Sequence, residues 1–125
     1  MKLEDALVKI IADAGLGIVG KTLFHTHMPS EVEKGIMVMT RVGILIDAYT
    51  GLRKGPFQII VRDKKIVDAH NLASAIVKAM KTDGKTVGDV NFLFIHADHE
   101  PLVFPRTEGG QFEASVNYTF AANWE

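Results

Sequence analysis

Between residues 111 and 120 the chain alternates without a break. Phe112, Ala114, Val116, Tyr118 and Phe120 fall on one side; Gln111, Glu113, Ser115, Asn117 and Thr119 fall on the other. Successive side chains of a strand point to opposite faces, so this pattern describes a strand buried on one face and wetted on the other. A sheet of such strands needs a covering layer on one side only, and two segments can supply it. Leu3, Ala6, Leu7, Ile10, Ile11 and Ala14 recur at three-four spacing, and so do Ile66, Ala69, Leu72, Ala73, Ile76, Val77 and Met80. Both segments read as amphipathic helices.

The remaining elements follow from local pattern. Gly15 stands where a helix C-cap would stand. Residues 23–29 are β-prone and are stopped by Pro29, residues 29–34 are a polar loop, and residues 35–40 are a strand that residues 42–46 continue after a kink. Residues 47–55 (DAYTGLRKG) read as an exposed loop or hairpin tip. Residues 57–62 are a strand with Phe57, Ile59 and Val61 on one face and Gln58, Ile60 and Arg62 on the other. Asp63 is placed to cap the second helix and residues 82–84 to end it. Residues 90–97 (VNFLFIHA) are apolar on both faces, as in a central strand, and residues 98–110 form a loop with two prolines. The order is α-β-β-β-α-β-β. It predicts a single α+β domain over residues 1–125, with two helices on one face of a four- to five-stranded, largely antiparallel sheet.

Residues 15–22 (GLGIVGKT) match both the phosphate-cradling pattern G-x-x-x-x-G-K-[ST] and the dinucleotide pattern G-x-G-x-x-G. A phosphate loop follows a strand and opens a helix, because the free N–H groups of the helix N-terminus bind the phosphates. Here the glycines follow a helix and precede a β-prone segment. The order is reversed, and a helix stop followed by a turn is the better reading.

A chain of 125 residues, 47% apolar and 23% charged, is enough for one domain with a core. No run of 18 apolar residues predicts a membrane span, and acids within MKLEDALVKII argue against a signal peptide. With no cysteine there is no disulfide, zinc–thiolate site or thiol nucleophile, which fits a reducing compartment. The net charge of −1 is uneven: residues 51–85 hold eight basic and three acidic residues, the rest six basic and twelve acidic. That balance suits mixed solvated surfaces, or a basic and an acidic face meeting on neighbouring copies, and it is too mild for a dedicated nucleic-acid binder.

Few residues suggest chemistry. His25 and His27 are two apart on a β-prone segment and so share a face; His96, His99 and Glu100 close another strand. These are metal-ligand types, yet the chain does not say whether the two groups meet, and hydrogen-bonded or exposed histidines are the simpler reading. Ser30, Ser74 and Ser115 lack the strand–turn–helix setting of a nucleophile elbow. Asp98 and Glu100 are loop carboxylates without a partner in a recognisable pocket. Trp124 reads as a packing residue or a subunit anchor. The expectation is no enzyme, no cofactor and no metal.

Two segments, read together, carry a resemblance. The first is residues 51–62 (GLRKGPFQIIVR), leading into the helix HNLASAIVKAM; the second is residues 99–117 (HEPLVFPRTEGGQFEASVN). Together they resemble a family of tailed-phage minor capsid proteins that look like the tail terminators of long-tailed phages. The family pattern has a G/R/G-rich loop, F-Q-x-I-V-R, a second helix, R-H-x-P-x-x-F/Y-P, a glycine and a closing strand ending S-V-N. Asp98 stands here in place of the arginine of that pattern. The likeness spans residues 29–120. It implies a hexameric ring in the virion, assembled in the host cytoplasm, that ends the tail tube, stops its polymerisation and faces the head connector or closure protein. Tail-tube protein and other copies are the implied partners, membrane is not, and phage DNA passes the ring without specific binding. Leu52, Arg53, Lys54, Arg106 and Trp124 are the expected subunit or tube contacts. The alternatives are another head–tail joining protein or a small metal- or nucleotide-binding module.

Overall fold

A computed structural model describes residues 2–40, 43–106 and 109–124. Helix α1 (Lys2–Asp13) ends as the glycine predicts. Gly15 sits at φ +74°, its N–H donates to Ala12, and the Leu16 N–H donates to Ile11. This is the paired C-terminal bonding that consumes orphan helix carbonyls. The chain then enters strand β1 (Leu23–His25), so residues 15–22 lie between helix and strand. Their turn closes on itself: the Ile18 carbonyl accepts from the N–H groups of Lys21, Thr22 and Leu23, and the Thr22 hydroxyl accepts from the Ile18 N–H.

The other strands are β2 (Gly35–Thr40), β3 (Leu45–Ile46) and β4 (Arg53–Asp63); helix α2 (Ile66–Met80) follows, then β5 (Thr82–Val87), β6 (Val90–Ala97), β7 (Leu102–Pro105) and β8 (Phe112–Asn123). The class is α+β as expected, but among the described residues the sheet has eight strands, more than the predicted four or five. Its order is β1-β2-β4-β8-β6-β5, with β3 beside β4 and β7 beside β8. Among these strands β1 and β2 are the one parallel pair, and a single parallel bridge joins Val19 to Leu23.

The long strands β4 and β8 form the spine, and each carries an interrupted partner on its outer edge. β2 pairs Thr40 with Phe57 and β3 resumes at Leu45 opposite Lys54. Of residues 42–46, Leu45 and Ile46 thus continue the edge that β2 begins; Arg41 and Val42 lie outside the described residues. Gly55 makes room there, since a Cβ would stand 3.0 Å from the Ile44 Cα. On the other side β6 ends with Ala97 opposite Tyr118 and β7 resumes with Leu102 opposite Ser115. Residues 98–110 therefore hold a strand where a loop was expected. That strand is recognisable only from its pairing with β8.

Both helices pack on one face, α2 over β4, β8 and β6, and α1 beside it over β1 and β2. On the side predicted to be buried, Ala114, Val116, Tyr118 and Phe120 lie under the helices and Phe112 is half-buried; on the side predicted to be wet, Gln111 and Ser115 are buried as well. Phe57 and Tyr118, opposite each other in register, stack at 4.8 Å with planes 5° apart. Three local expectations need correction. Asp63 does not cap α2: Lys65 is the N-cap residue without a side-chain bond, and Asp63 Oδ1 accepts from the Lys65 N–H at 3.3 Å. Residues 82–84, expected to end α2, instead open β5, the helix having ended at Met80. And β6 is interior but not buried on both faces. A bulge at Leu93 turns Phe92 toward the helices and Phe94 to the open face, leaving Leu93 exposed.

Candidate interface surfaces

The hairpin β3–β4 carries three of the five expected contacts, Leu52, Arg53 and Lys54. Its loop is fixed by one carboxylate. Asp47 Oδ1 accepts from the N–H groups of Tyr49 (2.8 Å) and Thr50 (3.0 Å), and the Asp47 backbone bonds Gly51 and Leu52. The Thr50 and Tyr49 N–H groups hold the Asp47 carboxyl below its ordinary value. Gly51, at φ +73°, supplies the left-handed residue that closes the turn. The result is a rigid tip with apolar side chains in water: Tyr49 is 97% exposed, Leu45 71% and Ile46 64%.

Behind the tip the structure gathers Leu52, Arg53, Lys54 and Trp124, which the sequence reading had named. Arg53 and Lys54 are strand residues, however, not loop residues. The Arg53 guanidinium lies 4.0 Å over the Trp124 ring and donates through Nη1 to the Trp124 carbonyl. A cation on an aromatic face with a hydrogen bond beside it ties the hairpin base to the last strand. Leu52 is half-buried and Lys54 exposed. Arg106 is apart from this group, at the opposite end of β8, where its Nη1 donates to Gln111 Oε1 and its N–H to the Gln111 carbonyl. Tyr49 escaped the sequence reading. Its signal was present: an aromatic held between Asp47 and Gly51, a spacing that makes a tight self-bonded loop.

The basic excess of residues 51–85 is partly consumed inside the protomer. Arg62, 6% exposed, donates to Glu113 and to the carbonyls of Pro29 and Val32, pinning that loop to the sheet. Lys64 pairs with Glu33. Lys54, Lys65, Lys78, Lys81 and Lys85 remain on the surface.

The histidines do not form a centre. Thr26, at φ +70°, ends β1 at His25, so His25 and His27 do not share a strand face. His25 Nδ1 is 3.1 Å from Glu4 Oε2 instead. His96 stacks on Phe94 at 5.2 Å, with Asp98 Oδ1 3.8 Å away and itself bonded by Thr119. His99 uses both ring nitrogens, accepting from the Asn117 N–H and bonding the Glu100 carbonyl. Among the described residues no three His, Cys, Asp or Glu side chains gather as metal ligands. Ser30 is exposed, Ser74 is half-buried within α2, and the Ser115 hydroxyl accepts from Gln58 Nε2 at 2.6 Å. Lys21 is exposed on a turn with no helix after it. No helix of the described residues is long and apolar enough to cross a membrane.

Glu4 is the polar residue whose setting was least expected. It is 3% exposed under α1, where Thr40 (2.6 Å), Thr26 (2.8 Å) and His25 converge on its carboxylate. Burial raises its pKa, and the three donors outweigh burial, so the group lies below its ordinary value. The cluster joins the first turn of α1 to the ends of β1 and β2.

Comparison with known proteins agrees with this architecture. A search of the curated proteins finds no match. Among solved structures, a chain from "Virion of native gene transfer agent (GTA) particle" superposes with a TM-score of 0.74 over 96% of this chain and 93% of that one, at 12% identity, a likeness of fold. The family described as bacteriophage tail terminator protein matches residues 10–124. The chain therefore belongs to the bacteriophage tail terminator proteins, structural components of the virion tail.

Proposed function

We propose that copies of this chain close into a ring on the head-proximal end of the tail tube, where they stop addition of tube protein and present a surface to the head connector. The family match over residues 10–124 carries this reading. The protomer suits it physically. A closed ring needs two different patches per copy, and this fold places a rigid apolar tip at one end of its spine and other exposed apolar residues, including Ile66 and Leu102, toward the opposite end. The role is assembly without catalysis. Six copies, as the family resemblance implies, are the expected ring, and DNA is the expected occupant of its lumen.

The test is assembly of tail-tube protein with and without this chain. Tubes that grow without limit alone and stop when the chain is added, with a ring visible at one end, are the expected result. Tubes of unchanged length, or binding to the portal connector in place of the tube, would overturn it. Native mass spectrometry across concentration reports the copy number. Lys54→Glu is the cleaner charge probe of the hairpin, because Arg53 also holds Trp124 in the protomer.

A further inference from the structure

The apolar tip has a counterpart at the far end of β4. There Ile66 and Val67 are 50% and 63% exposed in the first turn of α2, although Ala69, Ala73, Ile76 and Met80 of the same helix are buried. With His70, Asn71 and Val103 they line a groove of about 330 Å³. A recess of about 380 Å³ adjoins it through the shared Asn71, with Asp63 and Asp68 in its wall. Asp63 is 6% exposed, and its Oδ2, without a hydrogen bond, forms an ion pair with Lys34 Nζ at 3.7 Å; Lys34 lines the same recess. Two carboxylates against one ammonium leave this recess with a net negative charge.

We infer that the Leu45–Tyr49 tip of one copy seats in the Ile66–Val67–His70 groove of the next, with Lys54 directed to the Asp63–Asp68 recess. The inference rests on the ring reading and names its contact. One patch projects and the other is a shallow hollow, two different surfaces as a heterologous interface requires. They cannot meet within one chain, because the eleven residues of β4 hold them roughly 33 Å apart. Tyr49 has an apolar ring and a hydroxyl, and the groove has apolar walls with an imidazole and an amide among them. Lys54 lies directly opposite Leu45 in register, so the two side chains share a face, as the recess with its two carboxylates adjoins the apolar groove. The Lys54 charge also acts on the Asp47 carboxylate, with no hydrogen bond between them among the described residues, while Asp47 Oδ1 takes the loop N–H groups. Because those bonds fix the tip, seating it costs little ordering entropy.

The chain has no cysteine, which makes the test direct. Tyr49→Cys is combined with Val67→Cys in one variant and with His70→Cys in another, and each is oxidised under ring-forming conditions. The expected result is a ladder of covalent oligomers longer than dimers, which neither single-cysteine chain gives. Rings by native mass spectrometry with no ladder from either pair would overturn the inference and leave the ring standing. A parent chain that forms no ring, alone or with tail-tube protein, would overturn the ring reading and this contact with it. Charge exchange is the second arm. Lys54→Glu and Asp68→Lys each lower ring yield about tenfold, and the two together restore it to within about threefold. A combined variant no better than the worse single one would overturn the electrostatic part.

Discussion

His99 gives Asn117 the hydrogen-bond acceptor that the sheet does not. Its Nε2 takes the Asn117 N–H at 3.2 Å at the point where β6 has ended and β7 has not begun. Since Nε2 accepts, the ring proton is on Nδ1, which donates to the Glu100 carbonyl at 2.7 Å. Pro101 is buried beside it and needs no amide partner. This gives a physical account of the histidine and proline in the H-x-P segment: they mend an interrupted strand. His99→Ala should destabilise the fold by about 1–2 kcal/mol in urea denaturation and speed amide exchange at Asn117. An unchanged midpoint with unchanged exchange would show that the bond is idle.

Glu4 should set part of the acid sensitivity. Its folded pKa lies below the ordinary 4.5, so the stability from its ionised form is fully present above about pH 4.5 and is lost as pH falls through the lower folded value. Glu4→Gln should cost about 1–3 kcal/mol at neutral pH, by weakening three charge-assisted bonds, and should flatten the acid limb of Tm against pH. A parallel acid limb in the variant would refute the assignment.

Tyr118 offers the opposite sign. Its hydroxyl is fully buried without a partner, and burial pushes its pKa well above the ordinary tyrosine value. Tyr118→Phe keeps the stack on Phe57 and removes the orphan, so it should stabilise by about 1 kcal/mol, or about 4 °C in Tm. Ionisation favours the unfolded chain, whose tyrosine titrates near 10.0; the parent therefore loses stability as pH rises above that value, and the variant lacks this loss. A lower Tm for the phenylalanine variant would mean that the hydroxyl is satisfied in solution.

The glycine-rich turn separates two roles in one motif. Gly15→Ala should cost about 1 kcal/mol, because an alanine is strained at φ +74°. Lys21→Ala should change stability by less than about 0.5 kcal/mol and leave calorimetric titration with ATP indistinguishable from that of the parent. ATP binding lost in the lysine variant alone would revive the phosphate-loop reading.

Local periodicity settled what a few neighbouring residues can settle. The three-four spacing of Leu3 to Ala14 and of Ile66 to Met80 gave the helices, the alternation through Phe112 to Phe120 gave β8, and Gly15 gave the stop of α1. It also excluded the phosphate loop, since helix-before-glycine is a matter of order alone. Pairing was not legible. Thr82 to Val87 and Leu102 to Pro105 are strands because β6 and β8 offer them unpaired backbone, and nothing in their own polar or proline-bearing composition says so.

The candidate surfaces divide in the same way. The sequence marked Arg53 and Trp124 singly; only the fold, by setting the start of β4 beside the end of β8, put one over the other. Glu4 looked like a solvent residue of α1 until β1 and β2 brought Thr26 and Thr40 beneath it. Ile66 continued an apolar stripe on paper, yet in the first turn of α2, beside Val103 of β7, it is only half covered. A periodic pattern reports which side of an element is apolar, and contacts between residues distant in sequence decide whether anything arrives to cover it.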